Sequence, residues 1–322
     1  MRMVFKFGGT SVAGPSEVRL AAARIAEAYR AGHGVVAVLS AQGHTTDELV
    51  SRSGDYNRNP SPRELDMLLA TGEQVSVSLM AMALGDMGLP AVSLTGWQAG
   101  IHTDSVPGHA RIVRLSPVRV ERELKAGRIV IVAGFQGVSP EGDITTLGRG
   151  GSDTTAAALA AALGADVCRI YTDVDGVYSA DPRLVPKAVR RDEIDSEEMR
   201  ILAAHGSQVL HEPSVILARD AALTLEVLSP ADDTRSTRIL PLPAPAEGRL
   251  TALTRDGELI SLVGSGLDRM ESLPQRARAA LAAAGIPMRS FLLTPRRLTV
   301  ETEAETSLAA LRALHRAFFE SE

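Results

Sequence analysis

The sequence has few of the residues that define several protein classes. Among its 322 residues there is one cysteine, Cys168, and aromatic residues make up only 3%. A single cysteine permits no internal disulfide and no cysteine-rich metal cluster, which is typical of proteins in a reducing cytoplasm. No unbroken apolar run approaches the roughly 18 residues of a membrane helix, and Lys6 comes too early for a signal peptide. We therefore expect a cytoplasmic protein that does not enter a membrane.

The chain also lacks an excess of positive charge. Its 34 basic and 39 acidic residues give a formal net charge of −5. A nucleic-acid-binding protein needs a basic face that neutralises phosphates, and the sequence shows none, so nucleic acid is not an expected partner. Only three of the basic residues are lysines, namely Lys6, Lys125 and Lys187. A coding bias towards arginine explains this ratio, but the two cations differ chemically, and a retained lysine calls for a reason of its own.

What the chain does have is a regular alternation of short β-branched runs and longer helical runs. Strands alternating with helices imply crossover connections and a largely parallel sheet that is covered on both faces. The predicted fold class is therefore α/β, with a mainly parallel sheet sandwiched between helices. The clearest strands are predicted at 3–7, 35–40, 129–133 and 167–172, and the clearest helices at 17–30, 63–84, 117–126 and 154–163.

A change of composition divides the chain near residue 230. Prolines concentrate between 229 and 248, which predicts a semi-rigid linker. Beyond it, the pattern predicts a small α+β layer of β-α-β-β-α type. We therefore expect a large domain at 1–230, a proline-rich linker at 231–248 and a small C-terminal domain at 249–322. The predicted elements of the last are strands at 259–263, 288–293 and 297–301 and helices at 273–284 and 307–318.

The first segment with chemical interest is Lys6-Phe7-Gly8-Gly9, at the end of the opening strand. Glycines let backbone N–H groups approach a phosphate closely, and the N-terminus of the following helix adds positive potential. A tight strand-to-helix turn would also place two glycines here. The segment alone leaves both interpretations open.

A second segment runs from Thr145 to Asp153, before a predicted helix. The guanidinium fork of Arg149 can clamp a carboxylate in a bidentate manner, and Gly150, Gly151 and Ser152 add amides and a hydroxyl. Ser152 or Asp153 could instead cap the helix. Capping explains neither Arg149 nor the paired glycines, so the pattern favours a ligand site.

Three further stretches lie at predicted strand ends or in a helix. Residues 171–178 and 181–183 end a strand, where ligands of parallel sheets bind, although Asp175-Gly176 alone would pass for a turn. The hydroxyls of Ser40 and Thr46 follow another strand, and Glu73 could receive an ammonium group. Taken singly, each of these last stretches is more typical of a turn or a helix cap than of a ligand site.

In their order and spacing, six segments of the sequence resemble aspartate kinases of the amino-acid kinase family. The resemblance covers about 230 of the 322 residues, and six ordered motifs make it specific. The segments are KFGGTSVAG at 6–14, SAQGHTTDEL at 40–49, RELDMLLATGEQVS at 63–76, GFQGV at 134–138, TTLGRGGSDTTA at 145–156 and YTDVDGVYSADPR at 171–183.

The resemblance implies the amino-acid kinase fold and the transfer of the ATP γ-phosphoryl group to the side-chain carboxylate of L-aspartate. It implies two catalytic residues, with Lys6 contacting phosphate and Asp153 orienting Lys6. The implied substrate contacts are Ser40, Thr46, Glu73 for the ammonium, Arg149 for a carboxylate, and Gly150, Gly151 and Ser152. The implied nucleotide contacts are Lys6, Gly8, Gly9, Thr172, Asp173, Tyr178, Arg183 and Gln208. Mg²⁺ would be held mainly by nucleotide phosphates and water, so no protein residue is predicted to bind metal.

The sequence departs from the family pattern in three places. Gln208 stands where a nucleotide-contacting lysine is usual, and Gln42 stands where methionine is common. Family members usually carry two tandem ACT modules, whereas only one ACT-like module is predicted here, and its usual D-R-P-G turn is replaced within 266–271. We therefore expect a homodimer formed through this module, with weak or no feedback inhibition.

Two other interpretations of the sequence remain open. The chain could be a kinase of the same family that acts on another amino-acid carboxylate. It could also be an inactive regulatory subunit that binds a ligand, an alternative to which Gln208 lends support. Retention of Lys6, Arg149 and Asp153 favours an active aspartate kinase, in which the presence of both Glu73 and Arg149 indicates a free α-amino acid as substrate.

Overall fold

A computed structural model of the protein describes residues 1–243 and 247–320. The chain forms two compact units. Unit 1 consists of Met1–Asp175 and Asp220–Ser236, and unit 2 consists of Gly176–Arg219 and Thr237–Glu322. Residues 176–219, which lie within the predicted large domain, are part of unit 2. The predicted linker at 231–248 falls partly at 244–246, outside the described residues.

The described residues contain strands and helices that alternate over most of the chain. The strands are β1 (Arg2–Phe7), β2 (Gly34–Leu39), β3 (Ala91–Leu94), β4 (Ile101–Thr103), β5 (Ile112–Leu115), β6 (Ile129–Ala133), β7 (Gln136–Val138), β8 (Ile144–Thr146), β9 (Val167–Tyr171), β10 (Glu193–Asp195), β11 (Leu225–Leu228), β12 (Ser236–Leu240), β13 (Arg249–Asp256), β14 (Leu259–Ser265), β15 (Ser290–Thr294) and β16 (Arg297–Glu301). The helices are α1 (Pro15–Arg30), α2 (Thr45–Tyr56), α3 (Pro62–Asp86), α4 (Val118–Lys125), α5 (Gly151–Leu163), α6 (Ser196–Ala204), α7 (Glu212–Asp220), α8 (Leu273–Ala283) and α9 (Ser307–Phe319).

Unit 1 is built on a parallel sheet in the order β11-β9-β1-β2-β6-β3. All five residues of β6 are buried, as expected of a strand that helices cover on both faces. One side of the sheet packs in a core with α1 and α3, to which Phe5, Ile25 and Met80 contribute. The prediction of an α/β fold with a mainly parallel sheet between helices is confirmed.

A second, four-stranded sheet in unit 1 has the order β5-β4-β7-β8. Its last strand is tied to α3 by the buried carboxylate of Asp66, which accepts hydrogen bonds from the Thr146 amide at 2.8 Å and from the Thr146 hydroxyl at 2.7 Å. In β7, the side-chain amide nitrogen Nε2 of Gln136 donates to the Ala70 carbonyl oxygen at 2.9 Å. These bonds hold α3 in a fixed register against the strands that precede the Arg149 segment.

By length and composition alone, α3 could span a membrane. The expectation that no segment reaches this length therefore does not hold for it. The helix contributes Val77, Met80 and Leu84 to the core of unit 1. This burial is that of a core helix in a globular unit.

Unit 2 contains an antiparallel sheet in the order β13-β14-β16-β15, against which α8 and α9 pack. The prediction of a small α+β layer is correct in type, but its order is β-β-α-β-β-α because β13 precedes the predicted first strand. In addition, β10 and β12 pair in parallel in this unit. Strand β12 lies within the segment that was predicted to be a linker.

Candidate active site

Four parallel strands of unit 1, namely β1, β2, β6 and β9, end at one edge of the sheet. Predicted site residues follow directly from three of them: Gly8 and Gly9 after β1, Ser40 after β2, and Thr172 and Asp173 after β9. In parallel sheets this carboxyl edge is where ligands bind. Backbone hydrogen bonds hold the strand ends together, joining Gly8 N to Tyr171 O (3.2 Å), Ser40 N to Phe7 O (3.1 Å) and Gly134 N to Leu39 O (3.0 Å).

The side chain of Lys6 points to Asp153, with 2.8 Å between Nζ and Oδ1. Lys6 is on β1 and Asp153 is in the first turn of α5, and the two side chains are only 12% and 7% exposed. An ion pair with so little solvent contact is screened far less than a surface pair. The structure thus brings together the two residues that were predicted to be catalytic. Lys6 also differs from the other two lysines in its burial, since Lys125 and Lys187 are both largely exposed.

The start of α5 differs from the prediction. We expected the helix at Thr154, but it begins at Gly151, so Ser152 and Asp153 lie inside its first turn. Its N-cap is Gly150, in the left-handed conformation with φ 70°, and no side chain caps the helix. The alternative that Ser152 or Asp153 is the cap is therefore wrong. A helix start left open by its own side chains keeps its N–H groups available to an anion.

Glu73 is the second buried carboxylate of the edge. It lies on α3 with only 3% of its surface exposed, and its Oε1 accepts a hydrogen bond from the Ala41 amide at 3.0 Å. Among the described residues, its Oε2 has no hydrogen-bond partner. Burial raises the pKa of Glu73 from its usual value to about 7, against a smaller opposing effect of the Ala41 hydrogen bond. A positively charged group at Oε2 would satisfy this carboxylate.

The loop after β2 contacts both Glu73 and the glycine pair. Its Ala41 bonds to Glu73, and Gly43 N donates to Gly9 O at 3.0 Å. A side chain at Gly9 would place its Cβ 2.8 Å from the Ala41 carbonyl oxygen, so glycine is required there for packing, with or without a phosphate. Ser40 and Thr46 are half-buried at the two ends of this loop.

The Arg149 segment leaves its guanidinium exposed. Arg149 stands between Gly148 and Gly150, both with φ near 70°, a conformation that glycine adopts without steric cost. Within residues 1–243 and 247–320, no acidic side chain pairs with Arg149. The fork is thus available to a carboxylate ligand.

The predicted nucleotide contacts are divided between the two units. In unit 1, Thr172 follows β9 and donates from its hydroxyl to Asp173 at 3.0 Å. In unit 2, Tyr178 forms an isolated bridge with Arg190, Arg183 pairs with Asp181 at 2.9 Å, and Gln208 is exposed.

Sequence reasoning missed three residues that shape this edge. Asp66 and Gln136 anchor α3, as described above. Phe135 follows Gly134 with φ 68°, a left-handed conformation that is uncommon outside glycine and costs energy. Its amide donates to Thr155 Oγ1 at 3.2 Å, and a Cβ at Gly134 would lie 2.6 Å from Ser152 Oγ. All three lie within quoted motifs, but only the folded chain shows their contacts.

Comparison with known proteins agrees with this geometry. Residues 1–229 match the amino acid kinase family. An aspartokinase of Geobacillus stearothermophilus is 53% identical over 237 residues, which are 74% of this chain and 58% of that protein. An aspartokinase of Thermus thermophilus is 42% identical over 284 residues, which are 88% of this chain and 70% of that protein. The chain therefore belongs to the amino acid kinase family and, within it, to the aspartokinases.

Solved structures extend the likeness to the fold of the whole chain. E. coli aspartokinase III in complex with aspartate and ADP has a TM-score of 0.88 at 22% identity, covering 99% of this chain and 100% of that one. Aspartate kinase from Synechocystis has a TM-score of 0.68 at 30% identity, covering 98% of this chain and 69% of that one. The chain spans 58% of the length of the Geobacillus relative.

Proposed function

We propose that the chain is an aspartate kinase, which transfers the γ-phosphoryl group of ATP to the side-chain carboxylate of L-aspartate and yields 4-phospho-L-aspartate and ADP. The observation that carries the proposal is the pairing of buried Lys6 with buried Asp153 at the sheet edge where Glu73 presents an unsatisfied carboxylate oxygen. The family membership and the aspartate and ADP held by the E. coli protein of similar fold support it.

The reaction needs no general base, because a carboxylate is already ionised and nucleophilic at neutral pH. A carboxylate oxygen of aspartate attacks the γ-phosphorus, and the bond from that phosphorus to the bridging oxygen breaks as ADP leaves. The enzyme must bring two anions together and stabilise the charge on the transferring group. Lys6 suits this task as a compact cation held in place by Asp153, and the amides of Gly8 and Gly9 add donors.

Substrate recognition follows from the charges of a free α-amino acid. We assign its ammonium to Glu73 and its α-carboxylate to Arg149, since one presents an unsatisfied anion and the other an exposed fork. The remaining contacts of this proposed pocket are assigned to hydroxyls and amides of Ser40, Thr46, Gly150, Gly151 and Ser152.

We assign nucleotide binding to Lys6, Gly8 and Gly9 together with Thr172, Asp173, Tyr178, Arg183 and Gln208. Mg²⁺ would be held mainly by the nucleotide phosphates and water, and it would supply positive charge to them. Among the described residues, no group of three or more His, Cys, Asp or Glu side chains could hold a metal ion. In this proposal Mg²⁺ has no protein ligand.

The organisation around the catalytic region is also part of the proposal. We propose a kinase domain at 1–230, a linker at 231–248 and a single ACT-like domain at 249–322 through which a cytoplasmic homodimer forms. Because the usual turn of the module is replaced at 266–271, feedback inhibition by lysine or threonine would be weak or absent.

A hydroxamate assay tests the proposed reaction directly. The purified protein is incubated with MgATP, hydroxylamine and, separately, aspartate, glutamate, N-acetylaspartate and aspartate amide, and the acyl hydroxamate is measured. We expect product with aspartate alone. Product with a different carboxylate would identify the other kinase of the family, and no product with any of them would favour the regulatory subunit.

A further inference from the structure

The part of unit 2 that carries Tyr178 and Arg183 is a loop closed at its base, here called loop 178–190. Tyr178 and Arg190 form an antiparallel bridge. Inside it, Ser179 N donates to Val189 O at 2.8 Å, and Val189 N donates to Ser179 Oγ at 2.9 Å. The backbone and the hydroxyl of Ser179 thus hold both ends of the loop together.

This loop is folded onto the C-terminal layer of unit 2. Ala180 and Val185 are 2% and 3% exposed and belong to the same hydrophobic core as Leu311 and Leu314 of α9. The Leu253 amide of β13 donates to Ser179 O at 2.7 Å. A loop with two side chains in a core has little freedom to move apart from that core.

Polar contacts from α9 and the residue after it reach the loop at three points. Arg312 Nε donates to the Leu184 carbonyl oxygen at 2.9 Å. Lys187 pairs with Glu320, with 3.0 Å between Nζ and Oε2. The third contact is buried, since His315 is 0% exposed and its Nε2 lies 2.9 Å from Ser179 Oγ.

Both ring nitrogens of His315 and the hydroxyl of Ser179 have hydrogen-bond partners. Glu320 Oε1 lies 3.0 Å from Nδ1 of His315, and a carboxylate there accepts a hydrogen bond from the Nδ1–H group. Nε2 is then the acceptor for the Ser179 hydroxyl hydrogen, while Ser179 Oγ accepts from Val189 N. The imidazole ring is fixed further by stacking on Phe319, with 5.3 Å between centroids.

We propose that His315 is a positioning residue for nucleotide binding, which acts through Ser179 to hold loop 178–190 in its binding conformation. The inference rests on the proposed function in one respect, namely that Tyr178 and Arg183 contact the nucleotide.

The test uses two variants of the full chain and a matched control. His315→Phe keeps a planar ring against Phe319 and removes both polar contacts, and Ser179→Ala removes the hydroxyl on the other side. Ser261→Ala is the control, because Ser261 is another buried serine of unit 2 whose hydroxyl pairs with Thr299 at 3.0 Å, away from the loop.

We expect His315→Phe to raise the KM for ATP about tenfold, as for the loss of one buried hydrogen bond, with the KM for aspartate and kcat within about twofold of wild type. Ser179→Ala should do the same, and the effects in the double variant should be clearly less than additive, because the two single variants share the loss of the contact between His315 and Ser179. Ser261→Ala should leave both KM values unchanged. An unchanged KM for ATP, additive effects, or equal increases in both KM values would overturn the proposal.

Hydrogen exchange of the Val189 amide in the ligand-free protein separates this inference from the proposed reaction. We expect exchange to accelerate about tenfold or more in His315→Phe and not in Ser261→Ala, whatever substrate the wild type uses. If the wild type phosphorylated no amino acid, the proposed function would fail, while this exchange and the dissociation constant for ADP would still decide the role of His315. If His315→Phe does not fold, the exposed Arg312→Ala replaces it, and an unchanged KM for ATP in that variant would contradict the role of α9.

Discussion

Buried carboxylates are satisfied in different ways in the two units. In unit 2, Glu198 is fully buried and accepts hydrogen bonds from the hydroxyls of Ser265 at 2.5 Å and Thr251 at 2.7 Å, one for each oxygen. In unit 1, Glu73 is almost as buried, yet only one of its oxygens has a partner among the described residues, and its pKa is raised to about 7.

The difference separates groups that serve the fold from groups that serve a ligand. A buried charge with all its bonds made stabilises the arrangement that supplies those bonds, whereas one with an unmet bond is costly until a ligand arrives. Asp66 shows that the distinction belongs to the residue and not to the unit, because both oxygens of this buried unit 1 carboxylate accept hydrogen bonds from Gly108 and Thr146.

The largest expected effect is that of Lys6→Ala on catalysis. Loss of the compact cation should reduce kcat for phosphoryl transfer at least about a hundredfold, comparable to the loss of one preorganised hydrogen-bond donor in other enzymes. Circular dichroism should show that the variant remains folded. Lys125→Ala is the control, since this lysine is 74% exposed and pairs only with Glu121. Turnover near that of wild type in Lys6→Ala would contradict the assignment of the ion pair to catalysis.

Glu73→Gln should separate binding from stability. The KM for aspartate should rise about thirtyfold because a charged partner of the ammonium is lost. Since the pKa of Glu73 is raised in the folded state, the wild type loses stability as pH rises from about 4.5 to 7 and no more above it. The ligand-free variant should therefore be more stable than wild type by about 3 kcal/mol at pH 8 and equal to it at pH 4. Urea unfolding at both pH values measures the difference. A variant less stable than wild type at pH 8 would contradict the claim that the buried Glu73 carboxylate destabilises the ligand-free protein.

The same substitution in unit 2 should have the opposite sign. Glu198→Gln should lower the free energy of unfolding by about 2 kcal/mol at pH 8, because charged hydrogen bonds to Ser265 and Thr251 are weakened. The KM for aspartate should stay within twofold of wild type. Urea unfolding alongside Glu73→Gln gives the test, and a stabilised Glu198→Gln would show that satisfied bonds do not distinguish the two carboxylates.

The smallest expected effect is that of Gln208→Lys. Gln208 is exposed, so a lysine there should lower the KM for ATP only about threefold, as for other exposed charge contacts. The gain should shrink in 0.5 M KCl because salt screens exposed charges. Steady-state kinetics at two salt concentrations suffice, and a KM for ATP that is unchanged at low salt would remove Gln208 from the nucleotide site.

The sequence predicted best what depends on local pattern. The strand predicted at 129–133 and β6 have the same bounds, because a strand that is buried on both faces consists of consecutive apolar residues. The sequence did not predict two strands that tertiary contacts decide. Strand β12 lies in a proline-rich stretch that reads as linker, and β13 is not among the predicted strands.

The candidate site divides in the same way. Residue types and motif order pointed to Lys6 and Asp153, which the fold brings into contact. The partners of Glu73 and His315 lie 32 and 136 residues away in the chain, and no periodicity in the sequence carries that information. The left-handed Phe135 likewise has no local signal, because its conformation is imposed by its neighbours.

One consequence concerns how the protein can be studied. Cys168 lies in β9 with no exposed surface, and burial raises the pKa of its thiol well above the usual range. A thiol that is both inaccessible and protonated reacts poorly with maleimides and nitroxide reagents. The native chain thus gives a silent background for labelling, and a cysteine placed in loop 178–190 would carry a fluorophore or spin label at a single site without removing any natural residue elsewhere.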